Sequence, residues 1–423
     1  MQDYFDFLNQ SPTAFHTVKS LTRRFKALGF QPLQEGDRWS LQSGNGYLVE
    51  RNGGGLMAFR MGGQSPTETG FRVASAHTDS PGLKIKLLSQ EVQDGFLRLG
   101  IEIYGGPIYS TWLDRELSLA GQIILKSPTG LKQILVDFEE PIALIPNLAI
   151  HYNRDVNKGV ALDPQSHLQA LVPLGESSIQ SLEGLLAQRF DFRVDQFLDA
   201  DLYLYSPQKA QFLGPAKDVY LSGHIDNLEG CYAVFESLKD STPDDSTIVG
   251  LFFDHEEIGS LSPSGAQSSF FSEILERIVK VQGGSDEDYF RAKSKSYLVS
   301  IDGAHGVHPN YRDKHDKNYA PILGGGPVLK VSAGLRYSTN SSTGGRIEGL
   351  CRDLKIPLQR YIIRSDLAAG STVGPMASAL AGLEAVDIGV PMWGMHSIRE
   401  SSSLSDHRLM VQLLREFYNG RSI

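Results

Sequence analysis

The chain has 423 residues, more than one ordinary core absorbs, so two domains or one domain with a large insert are expected. Hydrophobic residues at 41% and charged residues at 21% exclude a disordered or fibrous chain. A net charge of −9 without a long basic run argues against a nucleic-acid surface, and two cysteines, Cys231 and Cys351, are too few for a disulfide framework or a thiolate zinc site.

The opening Met1-Gln2-Asp3-Tyr4-Phe5-Asp6 is acidic where a signal peptide is basic, and no stretch reaches the ~20 apolar residues of a membrane span. A cytoplasmic protein in a reducing compartment is therefore expected, with no membrane partner. Ser11-Pro12 predicts a helix start, with Ser11 as cap and Pro12 at the first helical position. Phe15, Val18, Leu21, Phe25 and Leu28 carry the helix on, and Gly29 closes it. From Gly46 the pattern is strand-like, as far as Phe71-Arg72-Val73-Ala74-Ser75-Ala76 and then His77. Short alternating apolar runs follow, Phe96 to Leu99, Gly121 to Leu125 and Gln133 to Val136, and predict a β-rich unit. After Val219 strands and helices alternate again, as in a doubly wound α/β sheet. The expected architecture is thus α/β: a doubly wound mixed sheet formed by residues 1–88 plus 215–423, with a β-rich domain inserted at 89–214. Ser241 to Ser246 and Gly283-Gly284-Ser285 read as surface loops.

Five residues stand just beyond apolar runs: His77, Asp226, Glu257, Asp302 and His396. Open α/β sheets bind ligands at the carboxyl ends of their strands, and five such ends each deliver one hard or borderline donor. Two imidazoles and three carboxylates suit zinc, cobalt or manganese. In Asp254-His255-Glu256-Glu257, one of the paired glutamates can bind metal while its neighbour stays free to move a proton. Singly, each residue has a plainer reading: a structural histidine, a helix cap at Asp226, a solvated glutamate pair, a turn at Asp302-Gly303. Jointly, they read as the ligand set of a two-metal hydrolase.

The segments Ala76-His77-Thr78-Asp79-Ser80-Pro81-Gly82, Gly223-His224-Ile225-Asp226-Asn227, Glu256-Glu257-Ile258-Gly259-Ser260 and His305-Gly306-Val307-His308-Pro309-Asn310-Tyr311 resemble the aspartyl aminopeptidase family. Tyr104-Gly105-Gly106, Thr111 to Arg115, Gly370-Ser371-Thr372 and Met395-His396-Ser397-Ile398-Arg399-Glu400 extend the match over nearly the whole chain, in family order. The resemblance implies a cocatalytic metallopeptidase that removes N-terminal Asp or Glu from short peptides. It implies two divalent ions, most readily zinc, one held by His77, Asp226 and Asp302 and the other by Asp226, Glu257 and His396. Glu256 is then the general base and Asp79 orients His77. Lys330 is expected to meet the acidic side chain, and His151 to reach a neighbouring subunit's active site. Assembly is expected as a tetrahedral dodecamer, with the inserted domain as interface and active-site lid. The competing expectations are a dimetal deacylase or amidohydrolase acting on N-acyl amino acids, and a scaffold without catalysis. Three features depart from the family pattern: His255 where Asn is usual, Gly303 and Gly306 in place of Met and Ala, and Trp393-Gly394 before Met395-His396.

Overall fold

The computed structural model describes residues 1–175, 178–242 and 245–420. The loop expected from Ser241 to Ser246 therefore lies partly outside the described residues, as does the stretch around Ser177.

A nine-stranded mixed sheet runs in the order Gln31–Pro32, Gly46–Arg51, Gly55–Arg60, Thr247–Phe253, Phe71–His77, Tyr297–Ile301, Glu384–Gly389, Val328–Lys330 and Gln359–Tyr361. The four strands from Thr247–Phe253 to Glu384–Gly389 are parallel. Parallel strands are covered on both faces and so read as continuous apolar runs, of which the fully buried Thr247–Phe253 is the clearest case. Alternate residues serve opposite cores. Val249, Leu251 and Phe253 pack on one side with the helices Phe270–Val281 and Val373–Ala381. Ile248 and Phe252 pack on the other with Ala14–Ala27, Ile225–Asp240, Ser341–Leu354 and Leu404–Tyr418. This is the doubly wound α/β arrangement that the alternation of strands and helices predicted.

A second, antiparallel sheet holds six strands in the order Gly130–Asp137, Ser118–Ser127, Phe197–Tyr205, Gly82–Gln93, Phe96–Tyr104 and Ala170–Pro173, over a core of its own. Its strands span 82–205, against the 89–214 expected for the inserted unit. The first strand begins at Gly82, straight after the turn beyond His77, where half-buried Lys84 and Lys86 alternate with buried Leu83 and Ile85. A third sheet orders Gln211–Leu213, Val219–Ser222, Glu400–Ser403, Pro391–Trp393 and Ala304–His305.

One helix start differs from expectation. Ala14–Ala27 is preceded by Thr13, and Ser11 instead donates its hydroxyl to Phe7 O, 2.8 Å away, at the end of the preceding helix Gln2–Asn9. A cap residue marks either end of a helix, and the short acidic helix before it carried no readable signal. That first helix is held by an aromatic stack: Tyr4 lies on the His407 imidazole at 4.3 Å between centroids. Beneath it, His407 Nδ1 and Glu229 Oε1 are 2.7 Å apart and buried, joining Leu404–Tyr418 to Ile225–Asp240. His407→Ala leaves the Glu229 carboxylate buried without this partner, and should cost about 3–5 kcal/mol in urea unfolding. A loss well under 1 kcal/mol would show that the pair is not what pins the two helices.

Candidate active site

Three of the five candidate donors leave the carboxyl ends of central parallel strands. His77 ends Phe71–His77, Glu257 lies just past Thr247–Phe253, and Asp302 follows Tyr297–Ile301. Asp226 and His396 do not come from that sheet. Asp226 follows Val219–Ser222 and His396 follows Pro391–Trp393, both strands of the third sheet. The expectation that one open sheet delivers all five is corrected accordingly. Glu384–Gly389 runs on through Val390 into Pro391–Trp393, so the sequence carries no visible break between the two sheets.

Tight backbone turns aim the donors. His224, His255 and His396 take φ of +58°, +61° and +68°. Histidine, asparagine and aspartate enter this left-handed region more readily than most residues, which accounts for His255 where the family pattern has Asn. Such residues carry strain of roughly 1–3 kcal/mol each and persist where the surroundings hold them. The Asp226–Asn227 peptide bond is cis. Asn227 Nδ2 donates to Ile301 O at 2.8 Å, and Ser80 Oγ donates to Asp226 O at 2.8 Å, tying this turn to the central sheet.

The donors form two groups, His77 with Asp226 and Asp302, and Asp226 with Glu257 and His396, each with its donor atoms within 4.8 Å of one another. A further group, His77 with Glu256 and Glu257, overlaps them. His77 Nε2 is 3.4 Å from Asp226 Oδ1 and 3.7 Å from Asp302 Oδ1. His396 Nε2 is 3.7 Å from Asp226 Oδ2 and 3.4 Å from Glu257 Oε2. The two oxygens of Asp226 thus face the two imidazoles. Nitrogen and oxygen donors without a thiolate are what zinc, cobalt and manganese accept. Asp226 Oδ1 is moreover buried and accepts no hydrogen bond among the described residues. A buried anion left so among other carboxylates is satisfied by a cation, so the residues fit divalent metal.

Both imidazoles are oriented by carbonyls. His77 Nδ1 is 3.1 Å from Asp79 O, and His396 Nδ1 is 3.0 Å from Gly106 O. A carbonyl accepts only, so Nδ1 of each ring donates to it and Nε2 is the nitrogen turned to the site. Asp79 therefore orients His77 through its backbone, while its carboxylate oxygen stands 3.5 Å from the ring. That carboxylate instead receives the Tyr104 hydroxyl at 2.8 Å and the N–H groups of Glu256 and Glu257 at 3.1 and 3.2 Å. Glu400 went unassigned in the sequence and has a comparable place. Its oxygens accept His396 N at 2.8 Å and Asp226 N at 3.0 Å, joining two donor segments through one buried carboxylate. The only signal for it was its position at the end of the Met395 to Glu400 segment.

The remaining residues singled out in the sequence divide. Lys330 is buried rather than solvated. It is 3% exposed, donates to Asp302 O at 3.2 Å and Gly303 O at 2.9 Å, and has Asp302 Oδ2 at 3.4 Å. His151 is exposed and is not among the residues brought together. His305 and His308 line a cleft of about 420 Å3 beside His396, with Lys314, His315, Arg364 and Trp393. The space above Gly303 and Gly306 is taken up: an added Cβ would stand 2.6 Å from Met392 Sδ at Gly303 and 2.7 Å from Leu323 Cδ1 at Gly306. Neighbouring side chains thus fill the room that the usual Met and Ala would occupy.

Charge crowding shows in the carboxyl groups. Burial, then the negative Asp302, Asp79 and Asp226, push Glu256 up to about 8, against the pull of His77. Burial and Asp226 likewise raise Glu257 and Glu400. In Asp302 burial works the same way, but Lys330 and His77 overcome it and hold the carboxyl below its usual range.

A family model described as aminopeptidase I zinc metalloprotease (M18) matches residues 7–418. A protein named probable M18 family aminopeptidase 2, from Ectopseudomonas mendocina (strain ymp), is 42% identical over 425 residues, covering 99% of this chain and 98% of that one. Among solved structures, a chain of the cryo-EM structure of the Ape4 and Nbr1 complex superposes with a TM-score of 0.93 at 33% identity, over 99% of this chain and 85% of its own. The mApe1 dodecamer of S. cerevesiae gives a TM-score of 0.85 at 24% identity, over 99% and 95%, a likeness of fold.

The raised carboxyls set a pH dependence for metal-free protein. A carboxyl raised in the folded state binds more protons there than in the unfolded chain, so stability falls as pH rises. For Glu256 the window runs from the ordinary value of 4.5 to about 8. Thermal unfolding of chelated protein should show its midpoint falling through this window, and added zinc should remove most of the fall. A midpoint that rises with pH, or that ignores zinc, would contradict the crowding.

Proposed function

The chain belongs to the family of aminopeptidase I zinc metalloproteases (M18), and we propose that it releases N-terminal Asp or Glu from short peptides at the site built on Asp226. One observation carries the proposal: two donor groups share Asp226, and Glu256 stands beside both with its carboxyl raised to about 8. His77, Asp226 and Asp302 would hold one divalent ion, and Asp226, Glu257 and His396 a second, with zinc the first candidate and cobalt or manganese the others. When bound, the ions supply Lewis acidity that polarises the scissile carbonyl and makes water a stronger acid.

The protein's own groups do the rest. Glu256 takes a proton from the attacking water and returns it to the departing amine. Asp79 holds the Glu256 and Glu257 backbone by two N–H bonds, which keeps the base and a metal donor in fixed relation. Glu400 fixes Asp226 to His396 in the same way. Lys330 balances the charge of Asp302 from behind.

Preference for an acidic residue is assigned to the cleft beside His396, whose size is that of a small-ligand pocket. His305, His308, His315, Lys314 and Arg364 line it against the single carboxylate of Asp316. Burial lowers His305 and His315, so these stay neutral, and Arg364 is paired with Asp366 at 2.8 Å. Lys314 is thus the cation offered to a substrate carboxylate. Lys330 also contributes through Asp302, and its truncation would disturb a metal donor as well as any substrate contact.

Oligomeric assembly and a cytoplasmic location complete the reading. Leu148, Ile150, Tyr152 and Val160 are exposed around His151, an apolar loop suited to a second subunit, through which His151 would reach a neighbouring site. The discontinuous part, 1–88 plus 215–423, would then be catalytic, with 89–214 as interface and lid. A dodecamer fits the mApe1 likeness. Among the described residues no helix is long and apolar enough to cross a membrane.

Metal-loaded protein should cleave peptides beginning with Asp or Glu, and leave those beginning with Leu or Lys, and N-acetyl-Asp, intact. Glu256→Gln should keep its metal and lose ~10²–10⁴-fold in rate. Preference for the acetylated peptide would make the protein a deacylase, and normal turnover by the variant would remove Glu256 as base. Lys314→Ala should lower kcat/KM on Asp- and Glu-peptides about fivefold, the scale of a partly exposed charge pair. An equal loss on a poor Leu-peptide would place the acidic preference elsewhere.

A further inference from the structure

Tyr104-Gly105-Gly106 was singled out in the sequence and has no part in the reaction described so far. It closes the strand Phe96–Tyr104 of the six-stranded sheet, the unit expected to serve assembly. Three consecutive residues there each touch a different piece of the site. Tyr104 is 8% exposed, and its hydroxyl donates to Asp79 Oδ2 at 2.8 Å. The same oxygen accepts the Glu257 N–H, and the other oxygen accepts that of Glu256. Gly105 lies against Glu257, where an added Cβ would stand 3.1 Å from the Glu257 Cβ and 3.3 Å from its carbonyl oxygen. Its φ of +66° also disfavours any other residue. Gly106 O accepts from His396 Nδ1. The contact continues beyond the triplet, with Ile108 N donating to His396 O at 2.9 Å and Ile398 N donating to Thr111 Oγ1 at 3.1 Å.

We propose that Tyr104-Gly105-Gly106 is a positioning element of the active site. Through it the six-stranded sheet fixes, within its own chain, the Glu256-Glu257 turn and the imidazole of His396. None of the three touches substrate. Tyr104 acts through Asp79, Gly105 by yielding space to Glu257, and Gly106 by setting which ring nitrogen of His396 carries the proton. The sheet is then a working part of the site and not only a surface for assembly. Partners lying one layer behind metal donors commonly set affinity or rate by ~10–100-fold.

The inference rests on the roles proposed above for Glu256 and Glu257, and the experiment separates the two. Tyr104→Phe removes one hydroxyl and keeps the ring that packs edge-on against Tyr203. It should lower kcat ~10-fold with KM within about twofold, since the base is misplaced while substrate contacts stay. Gly105→Ala should weaken zinc binding by ~10-fold, read without substrate by competition with a chromogenic chelator. Gly95→Ala is the control: its φ of +82° brings the same backbone strain in the same sheet, with nothing within 4 Å of the added Cβ. It should leave both readouts unchanged. Unaltered kcat in Tyr104→Phe, or equal effects of Gly95→Ala and Gly105→Ala, would overturn the positioning role. Glu256→Gln, measured alongside, reports on the underlying reading: if it turns over normally, the assignment of the base fails, whatever Tyr104 does.

Discussion

Anions placed side by side away from water repel, and this chain gathers Asp79, Asp226, Glu256, Glu257, Asp302 and Glu400 into one small volume. Everything near them answers that constraint. Lys330 gives up its exposure to face Asp302. Backbone N–H groups are turned toward Asp79 and Glu400, two each. Both imidazoles turn Nε2 inward because carbonyls accept from their Nδ1–H groups. The buried Asp226 Oδ1 is left without a hydrogen bond among the described residues, between the two imidazole-bearing groups. Such crowding lowers stability on its own and is tolerated where a cation offsets it, so the arrangement is legible as chemistry rather than packing.

Much of this was legible in the sequence because the site sits on strong local patterns. The runs before His77, Glu257 and Asp302 are strands buried on both faces, and uninterrupted apolar stretches announce such strands. The α/β architecture followed from their alternation with amphipathic helices, and the resemblance to aspartyl aminopeptidases in the segments that carry the donors agrees with the M18 match. Periodicity was silent on which sheet a strand joins. Val219–Ser222 and Pro391–Trp393 look like any short strand, and only tertiary pairing assigns them to a separate sheet.

Contacts one layer out from the donors were invisible for a different reason. Glu400 and Tyr104 work through partners far away along the chain, and no spacing rule encodes such a pairing. The surroundings of Lys330 were hidden on the same ground: a sequence shows a lysine at a strand end, but not the two carbonyls and the carboxylate that surround it. Gly303 and Gly306 depart from the family pattern by losing side-chain volume. Met392 and Leu323 stand where an added Cβ would be, so the space is filled, as close packing requires.

Asp226 and His396 ride on one sheet, while His77, Glu257 and Asp302 ride on another. Neither donor group is complete within a single sheet: His77 and Asp302 need Asp226, and Asp226 and His396 need Glu257. A folding chain with only one sheet in place has no complete site to offer a cation. Metal held by these residues would therefore favour the docked arrangement of the two layers over either one alone.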